Sequence, residues 1–103
     1  MYVYSGYHDR FFEIPGSARE VTKSWETLVS IVNHFIPLDE IVDLYFGAEV
    51  EIEGVYAIEV WIVLENGSTT NLILADSPIP LNLEQWQILV NKLSEGYKPY
   101  QLA

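Results

Sequence analysis

Glu49-Val50-Glu51-Ile52-Glu53-Gly54-Val55-Tyr56-Ala57-Ile58-Glu59-Val60-Trp61-Ile62-Val63-Leu64 is the stretch on which the fold turns. Side chains alternate across a strand, so Glu49, Glu51 and Glu53 fall on one face and Val50 and Ile52 on the other. Tyr56, Ile58, Val60, Ile62 and Leu64 form a second apolar row, with Ala57, Glu59, Trp61, Val63 and Glu65 opposite. If one sheet face is buried and the other is wet, the two apolar rows must coincide. That places Ile52 beside Tyr56 and Val50 beside Ile58, closed by the three-residue loop Glu53-Gly54-Val55, because a one-residue slip reverses one strand. The same register brings Glu49 near Glu59 on the outer face. Like charges across neighbouring strands are destabilising, so their concentration there points to a surface kept for another purpose.

Moving towards the C-terminus, Asn66-Gly67 signals a hairpin into Ser68 to Ala75. A loop that includes Ser68 puts Leu72 and Leu74 on the buried face; a strict two-residue turn sets Leu72 beside Trp61, and the sequence leaves both open. Pro78 and Pro80 interrupt regular structure. Asn82-Leu83-Glu84-Gln85 is a capping box, with Leu81 and Trp86 as its hydrophobic staple. Leu83, Trp86, Leu89, Val90 and Leu93 form the inward stripe of a helix that ends before Gly96, and Tyr97 to Ala103 read as an irregular tail.

Towards the N-terminus, Leu38, Ile41, Val42 and Tyr45 suit a short helix stopped by Gly47, with an extended reading of Ile41 to Phe46 as the alternative. Before Pro37, the residues Val21, Trp25, Leu28, Val32 and Phe35 recur at intervals of four and three and predict the clearest helix. Ser17 to Glu20 forms a capping box at its start, and Ser24 could cap a shorter version. Tyr2 to Ser5 and Arg10 to Ile14 are short extended segments around the turn Gly6 to Asp9. The expected fold is therefore α+β: an antiparallel three-stranded meander, extended by an N-terminal strand or hairpin, packed against two or three helices over one face, in the order β(β)-α-α-β-β-β-α.

The chain has 103 residues, half of them apolar and 14% aromatic, enough for one core and consistent with a single acidic domain over residues 1–103. No cysteine is present, which excludes disulfides, thiolate nucleophiles and zinc-thiolate sites. Residues Met1 to Arg10 do not read as a signal peptide, and no apolar run is long enough for a membrane span, so a cytoplasmic protein is expected.

Five basic residues against fifteen acidic ones give a formal charge of -10. No Lys or Arg lies between Lys23 and Lys92. Such a field repels nucleic-acid backbones and anionic lipid and steers basic proteins inward. Direct nucleic-acid binding and membrane association are not expected.

Catalytic signatures are lacking. There is no Gly-x-Ser-x-Gly elbow and no phosphate loop, and carboxylates alternating along a strand do not wrap an ion as a calcium loop does. His8 with Asp9 and Glu13 matches no ligand spacing and reads as an ordinary polar turn, and His34 reads as a helix-end residue. No catalytic residue, cofactor or metal is assigned. The expected function is binding and neutralising a basic protein partner, such as a nuclease or other nucleic-acid-binding protein. An immunity protein against a toxin, or a phage inhibitor acting as a DNA mimic on a defence enzyme, would belong to this class. The residues assigned to the contact are Glu49, Glu51, Glu53 and Glu59, with Trp61 as an apolar anchor and Asp39, Glu40 and Asp43 extending the patch. A homodimeric assembly subunit and a small regulatory ligand-binding domain are the alternatives. Trp25 and Trp86 are assigned to the core; Trp61 belongs either beneath a strand or helix or at the interface.

Overall fold

The chain starts as the expected hairpin. In the computed structural model, which describes residues 1–96, β1 (Tyr2–Ser5) pairs antiparallel with β2 (Arg10–Glu13) across the turn Gly6 to Asp9. The Tyr4 hydroxyl donates to Asp9 Oδ1 at 2.8 Å, tying the turn back to the strand. The irregular tail expected from Tyr97 to Ala103 lies outside the described residues.

β3 (Ile41–Ile52), β4 (Val55–Leu64) and β5 (Thr69–Asp76) form the antiparallel meander, and β1 adds to β5, giving the order β2-β1-β5-β4-β3. The β3–β4 turn is tighter than the alternation argument required. Glu53 and Gly54 alone make it, at φ 49° and 82°, the left-handed pair of a type I′ hairpin. Ile52 therefore pairs with Val55, Val50 with Ala57 and Glu49 with Ile58. Val50 and Ile52 then lie on the face opposite Tyr56 and Ile58. The premise that failed was a one-sided sheet: with both faces covered, either apolar row can be buried, and turn geometry selects the register.

The β4–β5 connection takes the longer of its two alternatives. Leu64 N–H donates to Ser68 O at 2.8 Å around Glu65-Asn66-Gly67, with Gly67 at φ 88°, which sets Leu72 opposite Val60. Leu72 and Leu74 are fully buried with Tyr56, Ile58, Val60, Ile62 and Leu64.

That layer packs beneath α1 (Ala18–Val21) and α2 (Trp25–Phe35), whose Ala18, Val21, Leu28, Val32 and Phe35 belong to the same cluster. The single long helix expected here is split between Thr22 and Ser24. Ser24 Oγ accepts from Thr27 N–H at 3.2 Å and caps α2. Ser17 makes no capping box; its hydroxyl donates to Asp76 at 2.9 Å, and the Asp76 carboxylate also accepts from Ala18 N–H at 2.6 Å and Arg19 N–H at 3.1 Å. Trp25 becomes the first residue of α2 and is 58% exposed, which corrects its assignment to the core.

The short helix expected from Leu38 to Phe46 is also corrected. A single 3-10 turn, Leu38–Glu40, leads directly into β3. Ile41 faces Leu64, Leu44 faces Ile62, and a bulge at Val42 between them brings both onto the core face although they are three residues apart. A bulged strand thus imitated helical spacing. A second register shift, at Gly47 and Ala48, separates the two halves of β3.

On the other side of the sheet lies α3 (Leu83–Gly96). Its capping box is reciprocal as expected: Asn82 N–H donates to Gln85 Oε1 at 2.9 Å and Gln85 N–H to Asn82 Oδ1 at 2.8 Å. Trp86, Leu89 and Leu93 are buried with Ala57, Ile73 and Ala75, while Val50, Ile52, Tyr2 and Tyr4 pack partly against them. Leu83, expected on the inward stripe, is 73% exposed instead. Helices on both faces make three layers where two were expected. Among the described residues no helix is long and apolar enough to cross a membrane.

Candidate functional site

Among the described residues β3 has a neighbour strand on one side only, so it presents an open edge, along which Leu44 N–H donates to Asp43 Oδ1 at 2.9 Å. Val42, Tyr45 and Phe46 are exposed on it. The acidic residues assigned from sequence do not form one patch around this edge. Asp39, Glu40 and Asp43 cluster where β3 begins, and Glu49, Glu51 and Glu53 where it ends. At strand rise, Asp43 and Glu51 stand roughly 25 Å apart.

Two carboxylates of the far group are already engaged. Glu51 pairs with Arg19 at 2.8 Å, and Glu49 accepts the Tyr56 hydroxyl. The Arg19 guanidinium lies 4.3 Å from the centroid of the Tyr56 ring. Burial, the hydrogen bond to Glu49 and its negative charge push the Tyr56 phenol up to about 12, despite the opposing pull of Arg19. In the near group, Glu40 accepts the Tyr7 hydroxyl at 3.1 Å, which raises the Tyr7 phenol. Asp39 and Glu53 engage no partner among the described residues and are exposed. His8 lodges against the Phe12 and Phe35 rings, with Nδ1 3.0 Å from Ser5 Oγ.

Glu59 departs furthest from its expected place. With the two-residue turn, Glu49 faces α1 while Glu59 faces α3, so the two lie on opposite sides of the sheet and the expected Glu49/Glu59 patch does not form. Glu59 is 8% exposed. Asn71 Nδ2 donates to its Oε2 at 2.9 Å. Burial pushes the carboxyl above its ordinary value, and hydrogen bonding by Asn71 and Trp61 draws it partly back.

Trp61 is partly buried on the α3 side, between Tyr45 of β3 and Asn71 of β5. It packs over Gly47: a Cβ there would stand 2.9 Å from the indole and 3.3 Å from Glu59 Oε1, so only glycine lets the strand pass. Gly6 likewise hugs Asn71, whose carbonyl accepts Gly6 N–H at 2.8 Å. Glu59, Trp61, Asn71, Gly47 and Gly6 are thus one fitted unit that sequence reasoning did not assemble. The available signal was an asparagine directly before the apolar run Leu72 to Ala75.

The buried carboxylate predicts a pH-dependent stability difference. The folded state holds the Glu59 proton to higher pH than the unfolded chain, so its burden on folding is absent below the ordinary value of 4.5 and grows as pH rises through the raised one. Glu59→Gln keeps the shape and removes the charge. Its melting temperature should exceed that of the parent at pH 7, and the gap should close below pH 4.5; a gap independent of pH in thermal melts would contradict this assignment.

Comparison with protein-family models, with curated proteins and with solved structures returns no match.

Proposed function

We propose that this is a non-enzymatic acidic domain that binds and neutralises a basic protein partner along the open edge of β3, in the cytoplasm. The carrying observation is the coincidence on one edge strand of exposed Val42, Tyr45 and Phe46 with carboxylates at both ends. An extended segment added to a sheet edge gains backbone hydrogen bonds from the strand and specificity from flanking side chains. Lysines or arginines near its two ends would meet Asp39 and Asp43 on one side and Glu53 on the other. Aromatic residues at the centre and charges at the rim are the usual division of labour at an interface. An immunity protein, or an inhibitor seated on a nucleic-acid-binding enzyme, fits this chemistry. The separation of the carboxylates into two groups favours bracketing of a basic segment over imitation of a regular phosphate row.

Glu49 and Glu51 are poor residues for the test, since reversing them breaks the contacts to Tyr56 and Arg19. Asp39→Lys with Glu53→Lys avoids both. Using the native domain as bait on a lysate of its natural host and of competing strains, a basic protein should be retained. The double reversal should slow its association about 10-fold at low salt, with the difference shrinking at ~0.5 M salt. Retention unaffected by the reversal, or recovery of the chain alone, would reject this reading; the latter would favour a self-associating subunit.

A further inference from the structure

A groove of about 290 Å³ runs between α3 and the β1–β2 hairpin. Its walls are Tyr4, Phe11 and Trp86, with the Phe11 ring 5.2 Å from both the Tyr4 and Trp86 rings. Phe11, 46% exposed, forms the rim, and buried Ile73 and Leu93 form the floor. Glu59 and Asn71 also line it. The volume is close to the lower limit for small-ligand sites, about 300 Å³.

The charge at Glu59 is unbalanced. A buried carboxylate is expensive unless paired with a cation. Among the described residues the ion pairs are Arg19 with Glu51, Lys23 with Glu20 and Lys92 with Glu95, and none reaches Glu59. A carboxylate offers roughly four acceptor positions. Asn71 and Trp61 account for two, leaving capacity for a further donor on a group that still lines the groove. Aromatic faces attract cations through the ring quadrupole, and they also shelter an alkyl stem.

We propose that this groove binds an organic cation, an alkylammonium or alkylguanidinium group, with Glu59 as its counter-ion and Tyr4, Phe11 and Trp86 as its walls. The cation enters past Phe11, lays its alkyl portion against the aromatic rings and places its N–H donors on the free positions of Glu59. Asn71, held by Gly6, fixes the carboxylate against rotation. The site is separate from the β3 edge and stands whether or not that edge binds a basic protein.

n-Butylguanidinium and n-butylammonium are the probes, with n-pentanol and sodium chloride at matched ionic strength as controls. Binding is read from the indole resonance of Trp86 in the full chain, and also in Lys98→Gln, which removes the lysine that follows α3 in sequence. Saturable binding of the cations should weaken about 10- to 100-fold in Glu59→Gln, the usual loss when one charged hydrogen-bond partner is neutralised. Glu26→Gln, on the opposite side of the sheet, should leave it unchanged, and Phe11→Leu should weaken it several-fold. Comparison of free agmatine with an arginine flanked by peptide bonds separates the two sources of such a cation: tighter binding of the peptide identifies a partner's side chain, and tighter binding of agmatine identifies a small metabolite. Equal affinity in Glu59→Gln, equal binding of n-pentanol, or no Trp86 response up to the solubility of the probes in both the full chain and Lys98→Gln would overturn the proposal.

Discussion

Asp76→Ala should lower the free energy of unfolding by about 2–4 kcal/mol, although the residue lies near the end of β5 and far from the centre of the core. Its carboxylate accepts three donors from a segment nearly sixty residues away: the Ser17 hydroxyl and the Ala18 and Arg19 amides. α1 is a single turn, too short to hold itself, and Ser17 supplies no cap of its own. Asp76 therefore acts as the cap of α1 across tertiary space. Removing it strands the part-buried Ala18 amide, leaves the exposed Arg19 amide to water, and frees the turn that carries buried Ala18 and Val21 against the sheet. At about 4–8 °C per kcal/mol for a domain of this size, the melting temperature should fall by roughly 8–32 °C. Asp76→Asn, which keeps one acceptor oxygen, should lose about half as much, and Ser17→Ala about 1 kcal/mol. Urea denaturation of the three variants checks the order. A value for Asp76→Ala within ~0.5 kcal/mol of the parent would show that α1 is held by packing alone.

That contact also marks the limit of what the sequence made legible. Elements whose signals are local were readable: the β1–β2 hairpin, the reciprocal Asn82–Gln85 cap, the stripe Leu28-Val32-Phe35 and the meander from Glu49 onward. Signals that depend on a distant partner were not. Ser17 to Glu20 has the spacing of a capping box, yet the amides at that helix start are taken by Asp76. Ile41 and Leu44 have helical spacing, yet a bulge at Val42 supplies it within a strand.

The candidate site fared likewise. Glu49, Glu51 and Glu53 lie on or beside one strand, as their local order implied, and Asp39, Glu40 and Asp43, expected on a short helix, lie at the start of the same strand. Which face Glu49 and Glu51 occupy, and so which contacts engage them, depended on a turn of two residues rather than three. The turn took Glu49 off the face of Glu59, but the cover over that face decided the fate of Glu59 itself. Assuming a wet face turned it into a surface charge; α3 covers that face, and the same residue becomes a buried carboxylate lining an aromatic groove.

The other large effect belongs to Tyr56, and it appears only at alkaline pH. Tyr56 is 7% exposed, its phenol donates to Glu49, and the phenol's ionisation is pushed up from 10 to about 12. An unfolded chain releases the same proton at about 10. Below pH 10 both states keep it, and the stabilisation of the protonated, hydrogen-bonded phenol is fully present. Between pH 10 and 12 the unfolded state binds fewer protons than the folded one, so stability falls as pH rises. Two pH units correspond to about 2–3 kcal/mol. Other tyrosines and the lysines titrate nearby, so the measurement is the difference between the parent and Tyr56→Phe in denaturant midpoints across the range. The parent should hold its advantage up to pH 10 and lose it steadily towards pH 12, while tyrosinate absorbance shows one late-ionising phenol that is missing from the variant. Glu49→Gln should bring that ionisation part of the way down, because burial, the larger cause, is left in place. Parallel pH profiles for the parent and Tyr56→Phe would mean that Tyr56 ionises freely and that its bond to Glu49 contributes nothing to the fold.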